Sequence, residues 1–168
     1  MPKIGETVRY GQSGLCKIEG KCEKEIAGEK QEYYTLSPLF KKGSLVFVPC
    51  ANEELVRRMC PPMTEDEVKA LLDAGAEMET EWIRDFRRRS EVSKKALASC
   101  DRAEALCLIK SIYAHRKEMQ GKGVRVHTTD DYFLKDAENL IYSEIAYVMN
   151  KEYEQVEREV KAILKIED

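Results

Sequence analysis

The residues best suited to chemistry cluster in one short basic segment around the only tryptophan, Trp82. Arg84, Arg87, Arg88 and Arg89 follow it closely, with Lys94 and Lys95 beyond, against Asp85 and Glu91 as the only acids between 82 and 98. An indole can stack on a base or wedge into a disturbed base step, and guanidinium groups beside it can hold phosphates without reading sequence. The same residues have a plainer reading. Met78, Trp82 and Phe86 lie four apart, so they could line one buried helical stripe, and an arginine cluster is often a solvated helix face.

Other chemistries find less support. The six cysteines, Cys16, Cys22, Cys50, Cys60, Cys100 and Cys107, contain no Cys-x-x-Cys pair, and His115 and His127 stand apart from them. A zinc site needs close ligand pairs, so no metal is expected. An even count would permit three disulfides, but cytoplasmic residence would keep thiols reduced, and most of these cysteines read as small buried hydrophobes. There is no phosphate-cradling glycine loop and no nucleophile with a plausible histidine partner, so the chain reads as a non-enzyme without a cofactor. His115, late in a helix, reads as a favourable C-terminal charge or an exposed side chain, and His127 as a loop residue without a role.

The elements that must carry the basic segment divide at Cys60-Pro61-Pro62, which can continue neither strand nor helix. This predicts two domains, 1–60 and 61–168. Before the break, Glu6-Thr7-Val8-Arg9-Tyr10, Leu15-Cys16-Lys17-Ile18-Glu19, Gln31-Glu32-Tyr33-Tyr34-Thr35-Leu36 and Ser44-Leu45-Val46-Phe47-Val48-Pro49 read as short strands of an all-β half. Ala27-Gly28-Glu29-Lys30 reads as a hairpin turn with Gly28 at positive φ, and the strand spacing predicts a small, strongly bent barrel.

After the break the period becomes helical. Thr64-Glu65-Asp66-Glu67 is a capping box for a helix that Gly75 would end in a left-handed cap. A second helix is expected over 79–97, carrying Trp82, and a third after Asp101, reaching Gly121. A long helix opens at Thr128-Thr129-Asp130-Asp131, breaks near Asn150, and is followed by a last one. Its apolar residues over 133–149, and those over 153–164, form wide faces that offer a surface for self-association. The fold class is α+β, an N-terminal β-barrel followed by an all-α domain.

With 43% hydrophobic and 35% charged residues, the chain can bury a core and stay soluble. No apolar run is long enough for a membrane span, and the N-terminus lacks a signal-peptide core, which points to the cytoplasm. The net charge of −3 argues against a general nucleic-acid binder. The charge is uneven, however: the C-terminal stretch holds Glu144, Glu152, Glu154, Glu157, Glu159, Glu167 and Asp168, leaving the basic segment as a local patch.

The order of these pieces resembles the CarD/CdnL family of bacterial transcription regulators. Ile4-Gly5-Glu6-Thr7-Val8-Arg9-Tyr10 is similar to the family's opening strand. Glu25-Ile26-Ala27-Gly28 with Tyr33-Tyr34 resembles its hairpin, and Leu45-Val46-Phe47-Val48-Pro49 resembles its later strand. Thr80-Glu81-Trp82-Ile83-Arg84-Asp85-Phe86-Arg87 is similar to the family's tryptophan segment, and Ala98-Ser99-Cys100-Asp101 to its inter-helix turn. The resemblance implies a Tudor-like barrel that binds the RNA polymerase β subunit, here through Lys24, Glu25, Ile26 and Phe47. It also implies a helical domain whose Trp82 wedges into the promoter minor groove at the upstream bubble edge, with Arg84, Arg87 and Arg88 at the DNA. Three positions depart from the pattern. Cys100 replaces a glycine, Asp85 brings a negative charge for which Arg88 and Arg89 would compensate, and Phe47 replaces a basic residue. The competing reading is a Tudor-like protein-interaction module with an oligomerising helical domain and no DNA contact.

Overall fold

A computed structural model describes residues 1–167; Asp168 lies outside the described residues. The chain forms two compact units, Met1–Pro62 and the part from Met63 onward. The class is α+β.

In the first unit, β1 (Thr7–Tyr10), β2 (Leu15–Ile26), β3 (Glu29–Pro38), β4 (Val46–Pro49) and β5 (Met59–Cys60) form one antiparallel sheet in the order β4-β3-β2-β1-β5. The barrel expected from the strand spacing does not close, because β4 and β5 stay as the two edges. Each edge is too short to carry closure. β5 contributes two residues, and the backbone turns at Cys50 into a short helix, α1 (Glu53–Arg57). That helix corrects the all-β expectation. Asn52 starts it by accepting the Leu55 N–H at 3.1 Å, a local cap that outweighs the β-prone context.

The β2–β3 hairpin is longer than the propensity of its residues suggests. Over 21–26 the chain is rich in Lys and Glu, yet pairing runs without interruption from Lys21↔Tyr34 to Ile26↔Glu29. Cross-strand charge pairs, Lys21–Glu32 at 3.1 Å and Lys30–Glu23 at 3.3 Å, suit this exposed end. The tight turn is the expected one, with Ala27 (φ 53°) and Gly28 (φ 82°) both left-handed, as a two-residue turn matched to strand twist requires. Near the other end, an extra residue between Ile18 and Gly20 shifts the register and bends β2. The core beneath the sheet is Val8, Cys16, Ile18, Tyr34, Leu36 and Val48.

The second unit is helical: α2 (Glu65–Glu77), α3 (Phe86–Ala98), α4 (Arg102–Gln120), α5 (Thr128–Met149) and α6 (Tyr153–Ile163). Its caps follow the sequence closely. Thr64 Oγ1 accepts the Glu67 N–H at 3.2 Å, while the Glu67 carboxylate accepts the Thr64 N–H at 2.7 Å. Asp101 accepts the Ala103 N–H at 2.9 Å, and Asn150 ends α5 in the left-handed conformation. The long helix α5 is the central post, packed against α2, α3, α4 and α6. Phe133, Leu134, Leu140, Ile141 and Ile145 of α5 and Val156, Val160 and Leu164 meet the other helices in one core. The wide apolar faces are therefore covered within this unit. Glu144, 1% exposed, is accommodated in that core by Arg102 at 2.7 Å and by the Met63 N–H at 3.0 Å.

Two helix ends differ from expectation. Gly75 is not a left-handed cap; it lies inside α2, and a Cβ on it would sit 2.5 Å from Leu106 Cδ2 and 3.1 Å from Leu164 Cδ2. It is glycine for close approach, not for backbone freedom. The second difference, the start of α3, belongs to the candidate site. Among the cysteines, Cys16, Cys22, Cys50 and Cys107 are free thiols, whereas Cys60 and Cys100 are not free, so the reduced-thiol expectation holds at four positions. Full burial is also rarer than expected, holding at Cys16 and Cys60, with Cys100 exposed.

Gly75→Ala separates helix propensity from packing. Propensity alone favours alanine by ~1 kcal/mol, but overpacking against the buried Leu106 costs ~1–3 kcal/mol. The expected outcome in urea denaturation is a net loss of up to about 2 kcal/mol; a gain would show that Leu106 and Leu164 can move aside.

Candidate nucleic-acid and polymerase interfaces

The segment 78–85 is not helical, so Trp82 sits in a connector and not on the helix expected over 79–97. Two interactions exclude that helix, one with a residue distant in sequence and one local. On one side, the Lys110 ammonium donates to the carbonyls of Gly75 (2.8 Å), Ala76 (3.2 Å) and Met78 (2.6 Å). These are among the orphan acceptors at the end of α2, where a cation also complements the helix dipole. On the other side, the Asp85 carboxylate accepts the Arg88 N–H at 2.7 Å and serves as N-cap, so α3 begins at Phe86. The acid that departs from the family pattern is thus the residue that starts the helix. The buried Met78-Trp82-Phe86 stripe does not form either, since four-residue spacing means nothing outside a helix.

Trp82 is half-buried and held by aromatic and cationic contacts. Its ring lies on the His115 imidazole with centroids 3.7 Å apart and planes 3° from parallel, and the Arg89 guanidinium carbon is 4.6 Å from the ring centre. His115 is therefore neither an exposed side chain nor a simple helix-end charge. Burial pulls its pKa below the ordinary histidine value, and the Arg89 charge pulls the same way against the opposing pull of Glu118. A neutral imidazole suits the stack.

Arg89 organises the connector. Its Nε and Nη2 donate to the two carboxylate oxygens of Asp130, each at 2.9 Å, in a bidentate pair where Asp130 is 2% exposed. Its Nη1 donates to the carbonyls of Ile83 (2.9 Å) and Arg84 (3.2 Å). One side chain of α3 thus ties the first turn of α5 to the backbone just after Trp82. Neither the Asp130 partnership nor the His115 stack has a local sequence signal, because their partners lie 41 and 33 positions away. His127, assigned no role from sequence, accepts the Thr129 N–H at 3.2 Å as the cap of α5 and stacks on Phe86 at 4.2 Å.

Arg84, Arg87 and Arg88 are all exposed around this connector. Arg87 reaches Glu91 only at 3.7 Å, both solvated, a contact of little energetic weight. Two cations in the first turn of a helix run against its dipole by ~0.3–1 kcal/mol each. Stability does not require them there, whereas an anion would be attracted by both charge and dipole.

In the first unit, Lys24, Glu25 and Ile26 form the exposed end of β2, and Phe47 stands on the edge strand β4. The Lys24 ammonium lies 3.2 Å from the centroid of the Phe47 ring. The structure thus joins the basic and the apolar candidate into one cation–π pair. Ile26 (55% exposed) and Phe47 (36%) are apolar side chains left to solvent on a sheet whose edges are open. A solvent-exposed hairpin beside an accessible edge strand is a surface for binding another protein.

That class has a family. Residues 3–60 match the family model described as the CarD-like/TRCF RID domain, so the first unit is similar to a CarD-like RNA polymerase-interacting domain. The family is a non-catalytic protein-interaction domain. No curated protein matches the chain. Among the described residues, no group of three or more His, Cys, Asp or Glu side chains is placed to hold a metal ion, and no helix is long and apolar enough to cross a membrane.

The clamp on the connector yields a prediction. Removing one partner of a buried ion pair strands the other, so Asp130→Ala is expected to cost about 3–5 kcal/mol and to shift the emission of Trp82, the only tryptophan, to the red. Arg87→Ala should stay within ~0.5 kcal/mol of wild type with unchanged emission. Wild-type stability and emission in Asp130→Ala would show that the pair does not hold the connector.

Proposed function

We propose that the protein is a transcription regulator that binds the β subunit of RNA polymerase through its first unit and stabilises the open promoter complex through its second. The observation that carries this reading is the RNA polymerase-interacting domain at residues 3–60. Lys24, Glu25, Ile26 and Phe47 form the polymerase contact. Trp82 enters the minor groove at the upstream edge of the bubble, and Arg84, Arg87 and Arg88 hold phosphates on either side.

The energetics suit this division of labour. Inserting an indole between base steps costs a few kcal/mol of unstacking, least where the duplex is already broken, so the wedge favours opened DNA. A few phosphate contacts alone give weak, sequence-independent binding, with a dissociation constant of about 10⁻⁴ to 10⁻⁶ M. Attachment to polymerase raises the local concentration of the helical unit at the promoter. A preference of about 1.4 kcal/mol for the open state is enough for a tenfold population shift, without any cofactor or catalysis.

The half-buried position of Trp82 supports this reading in one respect. A ring already ordered against His115 loses less conformational freedom on meeting DNA than a free one. The alternative, an interaction module that self-associates through its helices, gains no support, because the apolar faces of α5 and α6 are used in the unit's own core.

The test is open-complex occupancy on a fluorescent promoter with the cognate polymerase. Wild type is expected to raise it, Trp82→Ala to lose most of that gain while remaining folded, and Phe47→Ala to require a higher protein concentration for the same effect. No change with saturating wild type would refute the proposal.

A further inference from the structure

We propose that His115 is a positioning residue for Trp82, holding the indole on its connector only while the imidazole is neutral, so that mild acid releases it. The consequence for promoter opening rests on the role proposed above for Trp82; the latch itself does not. The chain has two histidines, and both stack on aromatic rings that Arg89 also faces. His115 covers the Trp82 ring with planes 3° apart and centroids 3.7 Å apart. The Arg89 guanidinium carbon lies 4.6 Å from the centre of the same ring and 5.3 Å from that of Phe86. The indole thus already faces one cation.

The geometry has no place for a second proton on His115. Its Nδ1 is buried and has no hydrogen-bond partner. A neutral imidazole with its proton on Nε2 leaves an acceptor there, whereas an imidazolium must bury a charged N–H with nothing to accept it. Burial is the largest influence and draws the His115 pKa below the ordinary 6.5. Glu118 on α4 and Asp130 on α5 favour the charged form, while Arg89 on α3 and Lys122 oppose it. Neither acid is left over as a partner: Asp130 holds Arg89 in its bidentate pair, and Glu118 accepts from Lys122 at 3.2 Å. The connector adds Glu81, Arg84 and Asp85, all exposed to solvent, with Asp85 committed to capping α3. Once released, the imidazole regains the ordinary value, so the released form takes up protons first. The latch is therefore fully formed above about pH 6.5 and gives way as pH falls below it.

Trp82, the only tryptophan, reports on the latch directly. Its emission and acrylamide quenching are followed in the full chain between about pH 7.5 and 5.5, above the ordinary carboxylate range, with far-UV circular dichroism for helix content. Toward acid, wild type should shift to the red and become more quenchable while its helix content stays constant. His115→Phe keeps a ring without a titrating proton and should hold its neutral-pH emission throughout. His127→Asn, which preserves a cap acceptor for the Thr129 N–H, should respond as wild type does. Unchanged wild-type emission, a shift accompanied by loss of helix, or a shift that persists in His115→Phe would each overturn the proposal, and the first two require no variant to fold. In the open-complex assay at the same two extremes, wild type should lose at the acid end a share of its gain that His115→Phe retains. Equal gains from both proteins at both extremes would overturn the regulatory role. No gain from either, with the emission switch intact, would overturn the transcriptional reading and leave the latch standing.

Discussion

A single guanidinium fixes the part of this protein that matters most. Arg89 makes a bidentate pair with the buried Asp130 and donates to two backbone carbonyls beside Trp82. Buried ion pairs are weak evidence for net stability, because desolvation offsets much of their attraction. Their better-supported value is in specifying one arrangement. Here the specified arrangement is that of an irregular connector, which has no ladder of its own hydrogen bonds to hold it. With Arg89 in place, Trp82 can lie flat on His115 and the exposed arginines can stay free of structural duty. The division is legible in solvent exposure: Arg89 is 11% exposed at its side chain, and Arg87 is 91% exposed.

The same economy separates the two units. The first has a core of modest size under an open sheet, and it leaves a charged hairpin and an edge strand to solvent. The second packs most of the apolar residues of α5 and α6 into one core and leaves the arginines around Trp82 exposed. An exposed sheet edge suits another protein, while a cationic rim with a tryptophan suits nucleic acid.

Much of this was legible in the amino-acid sequence, where the signal was local. The capping box at Thr64, the turn at Ala27-Gly28, the Asp101 cap and the break at Asn150 all depend on neighbours within a few positions. Most of the failures come from dependence on distant residues, while the caps at Asn52 and Asp85 are local signals that were underweighted. The expected helix over 79–97 ignored Lys110, which secures the end of α2 from another helix, and it undervalued Asp85 as a cap. Gly75 looked like a helix end because its contacts with Leu106 and Leu164 cannot be seen from spacing. The barrel was inferred from strand count, but closure depends on the pairing of edge strands, and β5 is too short to supply it. Of the candidate residues, Trp82 stands out by its type and its charged neighbours, whereas Arg89, Asp130 and His115 form a unit only in three dimensions.

The central claim is that Trp82 meets promoter DNA at the upstream edge of the bubble, and photocrosslinking tests it most directly. With Trp82→p-benzoylphenylalanine in the full chain, irradiation of polymerase–promoter complexes should give crosslinks confined to a few nucleotides at that edge. They should appear in the open complex and be lost when the DNA is held closed or polymerase is omitted. Crosslinks to protein alone, or to DNA without regard to opening or polymerase, would contradict the account.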